Sequence, residues 1–273
     1  MKKLLLYTAF LSILLYSCGR DSLNKSPVIG ILGAFGDEVK LLEDSLRSKS
    51  TISIEGIKFT EGWLQGKHVV IAYTGMGKVN AAMTTSLLIS GFHPKSVLFT
   101  GIAGGISSDV KPGDIIVGER MVQHDLNYVY DDSLVSFPVQ NPVNDSTDPL
   151  YFKADKRLLQ LTQSVLSGIQ LQKVNLGNIA VQPAIYFGTI ATGDAFVASE
   201  RVKKQLIHRF HADAVEMEGA AVAQVCYQLS VPFIVIRSIS DSADHNANHD
   251  VDKFLHIAAV NASTLILHLL AAM

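Results

Sequence analysis

A chain of 273 residues with 48% hydrophobic and 18% charged side chains has the length and apolar content for one large globular domain with a sizeable core. Its formal charge of −2 excludes a basic field for nucleic acid. It carries no run of like charge, no low-complexity tract and no internal repeat, which leaves a protein that handles a small molecule or a plain scaffold.

In chain order, Lys2 and Lys3 precede an apolar run from Leu4 to Tyr16 that only Thr8 and Ser12 interrupt. A charged segment followed by an apolar one of this length is short for a bilayer span and reads as a processing signal. It ends in Leu15-Tyr16-Ser17-Cys18, which resembles a bacterial lipoprotein signal, in which the cysteine becomes the acylated first residue. Residues 1–18 are therefore expected to be a lipoprotein signal peptide with Cys18 as the lipidation site. Residues 19–26 (GRDSLNKS) read as a polar tether, and residues 27–273 as one domain. The expected location is outside the cytoplasm, lipid-anchored to a bacterial membrane on its periplasmic or cell-surface side. Cys226, in the apolar stretch AAVAQVC, is then left to act as a buried small hydrophobe, with no disulfide framework.

Six apolar, β-branched segments follow Pro27: residues 28–35, 68–74, 96–102, 114–122, 184–193 and 232–240. Several are continuous rather than alternating, the pattern of strands buried on both faces. Helix-like stretches over 38–48, 78–90, 218–229 and 251–273 separate or close them. The alternation predicts an α/β fold, a three-layer α/β/α sandwich around a mixed, largely parallel central sheet. Residues 131–153, rich in Asp, Ser, Pro and Asn, read as a long surface loop.

Glycines gather where strands should finish: Gly33 and Gly36, Gly75 and Gly77, Gly101 with Gly104 and Gly105, and Gly193. Ligands of open α/β sheets bind outside the carboxyl ends of strands, and glycine lets backbone approach them closely. Any one of these is an ordinary tight turn; four at four strand ends point to a shared pocket. Gly75-Met76-Gly77-Lys78 is not a P-loop, since Ala72 stands where the first glycine belongs, and no acidic residue follows at dinucleotide spacing. No HExxH, CxxC or GxSxG occurs, so the expectation is no metal and no cofactor.

Polar residues in apolar settings single out three places. Glu38 follows the first glycine turn, where a helix dipole alone would also favour an acid. Glu216 and Glu218 flank Met217 in the apolar run AVEMEGAAVA. Arg237, Ser240 and Asp241 end the apolar strand PFIVIRSISD, although Asp241 could also cap the next helix. Buried carboxylates need partners or a task.

Those residues, with GILGAFGDEV (30–39), TGMGKVNAA (74–82), TGIAGG (100–105), QHD (123–125) and TGDAF (192–196), resemble in order the signature segments of the methylthioadenosine/S-adenosylhomocysteine nucleosidases. The resemblance spans residues 28 to 270. It implies a nucleoside phosphorylase-like fold and hydrolysis of an adenine–ribose bond. It matches Asp241 to the acid that protonates N7 of adenine, Ser240 to the residue positioning it, and Glu38 to the base activating water. Glu218 matches the ribose-binding carboxylate, with Met217 beside the sugar and Arg237 near the water site. Phe196 matches the ring that stacks on adenine and Val197 the backbone that hydrogen-bonds the base. Ala103, Gly104 and Glu216 fall against the substrate. One carboxyl protonated and another ionised near neutral pH is what such acid–base work requires.

The chain departs from that family at Ile102, where some members have serine, at Val251, often aromatic beside the 5′ pocket, and over 131–150, longer than the usual loop. The resemblance further implies a homodimer in which Asn127 to Tyr130 encloses the partner's pocket. Three rival readings stand beside hydrolysis of methylthioadenosine and S-adenosylhomocysteine. One is a nucleoside phosphorylase, disfavoured by the acidic first turn Gly33 to Glu38, which has no arginine for phosphate. The others are a 6-amino-6-deoxyfutalosine hydrolase and a non-catalytic nucleoside-binding lipoprotein.

Overall fold

A computed structural model describes residues 27–273, without the side chains of Asp37, Glu38, Asn248 and Asp252. The signal peptide and tether expected over 1–26, Cys18 included, lie outside the described residues. The chain opens with β1 (Val28–Gly33), which pairs in parallel with β4 (Lys67–Tyr73) on one side and with β5 (Ser96–Gly105) on the other. Beyond β5 come β14 (Phe233–Asp241), β6 (Ile115–Gln123), β12 (Ile185–Thr192) and β13 (Ala214–Glu216). The pairs β5–β14, β6–β12 and β12–β13 are parallel, whereas β6–β14 is antiparallel. β13 also pairs antiparallel with β5, so this half of the sheet curls until its end strand meets its own middle. The pocket sits at the ends of these curled strands.

All nine residues of β14 are buried, as are the last five of β1, as expected for continuous apolar strands covered on both faces. Helices α1 (Gly36–Asp44), α2 (Lys78–Phe92), α3 (Lys156–Val165), α4 (Glu200–Phe210), α5 (Gly219–Gln228) and α6 (Ala247–Ala272) supply that cover. α6 is long and apolar enough to cross a membrane by length and composition, yet it is a core helix: Leu265, Ile266, Leu269 and Leu270 are fully buried.

Two expectations change. The first helix, expected over 38–48, stops at Asp44, and Arg47–Ile54 forms β2, paired with β3 (Ile57–Leu64), which pairs on to β4. The two turns of this meander are Glu55-Gly56 and Gln65-Gly66, all four residues at positive φ, the conformation two-residue hairpins demand. The loop expected over 131–153 is also more ordered. Its start belongs to a hairpin of β7 (Asn127–Tyr130) and β8 (Ser133–Ser136), and its end to β9 (Phe152–Lys153). Between them Asp148, 1% exposed, accepts from Asn141 Nδ2 (3.0 Å) and Gln228 Nε2 (2.7 Å), which ties the segment to α5.

Candidate active site

A cavity of about 300 Å³ opens where the carboxyl ends of β5, β13 and β14 meet the glycine turns. It is lined by Ile102, Ala103, Gly104, Phe196, Val197, Glu216, Met217, Glu218, Ser240, Asp241 and Val251, which joins nearly every residue singled out in the sequence. Phe35, Met76, Ala195, Val215 and Leu255 complete it. Phe35 and Met76 lie inside glycine clusters that mark the pocket in the sequence, so those clusters could have found them. Leu255 comes from the interior of α6, where nothing local distinguishes it from other core leucines.

The end of β14 shows how adjacent residues reach one cavity. Its register against β5 shifts between Ile239, opposite Ala103, and Asp241, opposite Gly104. That irregularity suspends the strict alternation of faces, so Ser240 and Asp241 both border the cavity. Asp241 is 2% exposed; its Oδ2 accepts from Ser240 Oγ (2.8 Å) and its Oδ1 from the Ala243 N–H (2.8 Å). Burial pushes its carboxyl above the ordinary aspartate value, with Asp250 and Asp244 acting the same way and the two hydrogen bonds opposing. Gly104 is required here: a Cβ on it would lie 2.8 Å from Asp241 Oδ1.

Glu216 and Glu218 have diverged in role. Glu216 Oε2 accepts from the N–H groups of Glu218 (3.1 Å) and Gly219 (2.7 Å) and from Arg237 Nε (3.1 Å) and Nη2 (2.5 Å). Its Oε1 accepts from Thr192 Oγ1, which in turn accepts from the Ala220 N–H at 2.8 Å. Glu216 is thus a bracket that fixes the first turn of α5. Glu218, 5% exposed, accepts at Oε1 from the Gly77 N–H (2.8 Å), and its Oε2 lies 3.7 Å from Arg237 Nη2. Held at one oxygen by backbone, with the other beside Arg237, it lines the cavity.

Arg237 stands beside the two glutamates of the cavity wall. It is fully buried behind the cavity wall, its guanidinium 4.0 Å from the centre of the Phe99 ring and paired with Glu216. Its Nη2 also lies 3.7 Å from Glu218 Oε2, so it backs both carboxylates of the wall without lining the cavity itself. Glu38 lies in the first turn of α1, three residues after Phe35 of the cavity wall; its side chain falls outside the described residues. On the outer side Phe196 is 49% exposed. The Val197 N–H and C=O enter no hydrogen bond among the described residues, which leaves a donor and an acceptor at an apolar wall. Chemically, the site offers a buried acid with a raised pKa, two further buried carboxylates and apolar side chains in one cavity.

The sequence profile of the phosphorylase superfamily matches residues 28–271. An Exiguobacterium protein described as a 5′-methylthioadenosine/S-adenosylhomocysteine nucleosidase is 39% identical over 88% of this chain and 95% of its own. The crystal structure of such a nucleosidase from Colwellia psychrerythraea, in complex with adenine, superposes with a TM-score of 0.78 at 34% identity, covering 91% of this chain and 96% of that one. A futalosine hydrolase from Helicobacter pylori reaches the same TM-score at 33% identity, over 91% and 99%.

Proposed function

The chain belongs to the phosphorylase superfamily and, within it, to the 5′-methylthioadenosine/S-adenosylhomocysteine nucleosidases, and from that premise we infer how its pocket works. It is an N-glycosyl hydrolase that cuts the bond between adenine and the 5′-thio-ribose. Asp241, whose carboxyl burial raises above its ordinary value, donates a proton to N7 of adenine while Ser240 fixes its orientation. The purine becomes a neutral leaving group and positive charge develops on the ribose, as in other glycosidic cleavages. Glu218 holds the ribose hydroxyls, Phe196 stacks on the base, and the Val197 backbone reads its edge. Glu38, assigned from its motif and its place one turn after Phe35, takes the proton of the attacking water.

One observation carries water rather than phosphate as the acceptor. The residues lining the cavity include three carboxylates and no lysine or arginine, and Arg237 is paired with Glu216 behind the wall. Among the described lining residues a phosphate dianion therefore finds no basic side chain to pair with. The test is incubation of the purified protein with methylthioadenosine with and without phosphate. The expected products in both are adenine and the free thio-ribose. A requirement for phosphate, with a ribose 1-phosphate product, would overturn hydrolysis. Aminodeoxyfutalosine belongs in the same assay, because a futalosine hydrolase shares the fold as closely as the nucleosidases do.

Two further features belong to this reading. The enzyme works as a homodimer in which the β7–β8 hairpin meets the partner. Tyr128, Val129, Tyr130, Leu134 and Val135 are 48% exposed or more, and Arg209 Nη2 pins the hairpin at Asn127 Oδ1 (2.7 Å) and Ser136 Oγ (2.9 Å). A fully active monomer in sedimentation would refute it. The protein is exported and anchored through lipid on Cys18, on the strength of Lys2-Lys3, the apolar run and the polar tether. Cys18→Ala should release it from the membrane fraction with its chemistry intact; wild-type protein found in the cytoplasm with Met1 attached would end that reading.

A further inference from the structure

The loop that carries Phe196 and Val197, residues 193–199, has no regular structure and exposes Asp194, Ala195 and Phe196. Gly193 donates to Glu216 O (3.1 Å) at one end and Ser199 to Ala243 O (3.1 Å) at the other. Between those ends, among the described residues, the hydrogen bonds that tie the loop to other elements both belong to Asp194. Its N–H donates to Asp125 Oδ2 at 2.9 Å, and its Oδ1 accepts from the Lys78 N–H at 2.8 Å. Lys78 Nζ closes the circuit on Asp125 Oδ1 at 2.6 Å. Three residues from three segments thus form one ring of polar contacts beside the base-binding loop.

The ring is joined to the ribose side through a single residue. Gly77, immediately before Lys78, gives its N–H to Glu218 Oε1. The first turn of α2 has no side-chain cap of its own, so two successive N–H groups at its start hold two carboxylates from elsewhere in the chain. Gly77 has φ 89°, and a Cβ there would lie 3.1 Å from Asp194 Oδ1, so glycine admits that approach. Lys78 and Asp125 are only 18% and 31% exposed. Burial alone would raise the Asp125 carboxyl, but the hydrogen bonds from Lys78 and the Asp194 N–H outweigh it and hold it below its ordinary value. An open surface ion pair would be worth little; a half-shielded one within a closed ring fixes position.

We propose that Lys78 and Asp125 are positioning residues, a clasp that registers the base-binding loop against the ribose-holding carboxylate; this rests on the roles given above to Phe196, Val197 and Glu218. The bond to be cut joins the base to the sugar, so the two halves of the nucleoside must be held in one frame relative to Asp241. The clasp touches neither half. It sets the distance between the groups that do, and its loss leaves the loop to be ordered by the ligand at each binding event.

The test uses the full-length protein and three variants, Lys78→Met, Lys78→Arg and Asp125→Ala, with thermal unfolding recorded for each. Adenine affinity is measured by calorimetry, and KM and kcat with methylthioadenosine. In Lys78→Met and Asp125→Ala, adenine binding should weaken and KM should rise about tenfold, since the ligand must order the loop. kcat should stay within about threefold once the nucleoside is seated, because Asp241 and Glu218 are untouched. Lys78→Arg, which keeps the charge, should bring both values back to within about threefold of wild type. A fourth variant that combines Lys78→Met with Asp125→Ala should be no worse than either change alone, as for residues acting as a unit. Adenine affinity and KM within twofold of wild type in a normally folded Lys78→Met would overturn the clasp. So would a loss confined to kcat, or Lys78→Arg behaving like Lys78→Met. If Asp125→Ala fails to fold, the two Lys78 variants decide the matter. Failure of the nucleosidase reading shows differently, as wild-type protein that releases no adenine.

Discussion

On the inner wall of the cavity Glu216, Glu218, Ser240 and Asp241 are at most 7% exposed, and each is held by hydrogen bonds to backbone or to a neighbouring side chain. On the outer side Phe35, Met76 and Phe196 are 39%, 55% and 49% exposed and present apolar groups. The difference fits the work proposed for each side. Proton transfer and recognition of hydroxyls depend on angles and on a low dielectric, so those groups are built into strand ends and the first turn of a helix. On the proposed reading the outer side admits a flat base and a 5′ substituent, which apolar contact does without fixed directions.

The contrast predicts effects that grow toward the inner wall. Asp241→Asn should lower kcat by about 10²–10⁴ while cooperative unfolding is kept, because the leaving-group proton disappears with the acid; single-turnover adenine release reads it. Arg237→Met should act on stability instead. It strands Glu216 without its ion-pair partner, a loss of about 3–5 kcal/mol for a buried pair, read by urea unfolding. A variant with unchanged stability and lost activity would restore Arg237 to a direct role in the cavity. Gly104→Ala comes next: its methyl would crowd Asp241 Oδ1, and displacing an acid by a fraction of an ångström can cost up to about 10²-fold in kcat. On the outer side, Phe196→Ala should raise KM by roughly tenfold and leave kcat nearly unchanged, since stacking on a base is worth about 1–3 kcal/mol. A kcat loss from Phe196→Ala as large as that from Gly104→Ala would erase the distinction between the two walls.

The inner wall was largely legible in the sequence because its polar residues interrupt apolar runs. AVEMEG and RSISD stand out for that reason, and with the glycine turns they mark the pocket in the sequence itself. What the sequence did not reveal depends on local geometry or distant packing. The irregularity in β14 that turns both Ser240 and Asp241 to the cavity leaves no trace in residue type. Neither does the division of labour between Glu216 and Glu218, two residues apart on the chain, or the burial of Arg237 behind them. The β2–β3 hairpin was hidden for a different reason. Seven of the eight residues of β2 are exposed, so it has no apolar signature; only the Glu55-Gly56 turn announces it. Leu255 reaches the pocket from α6, some 150 residues after Ala103, which periodicity cannot bring together; Val251 on the same helix was placed there only by the family resemblance.

The most direct test of the account is the pH dependence of kcat/KM for methylthioadenosine, wild type against Asp241→Asn. A general acid works only while protonated, and burial raises the Asp241 pKa from its ordinary value of 3.8. Activity that depends on this proton is therefore fully present at low pH, as far as this group is concerned, and is lost as pH rises through the raised pKa. The account predicts an alkaline limb in the wild-type profile, with its midpoint above the ordinary aspartate value, and no such limb in the residual activity of Asp241→Asn. A wild-type profile without that limb, or the same limb persisting in Asp241→Asn, would contradict the assignment of the acid.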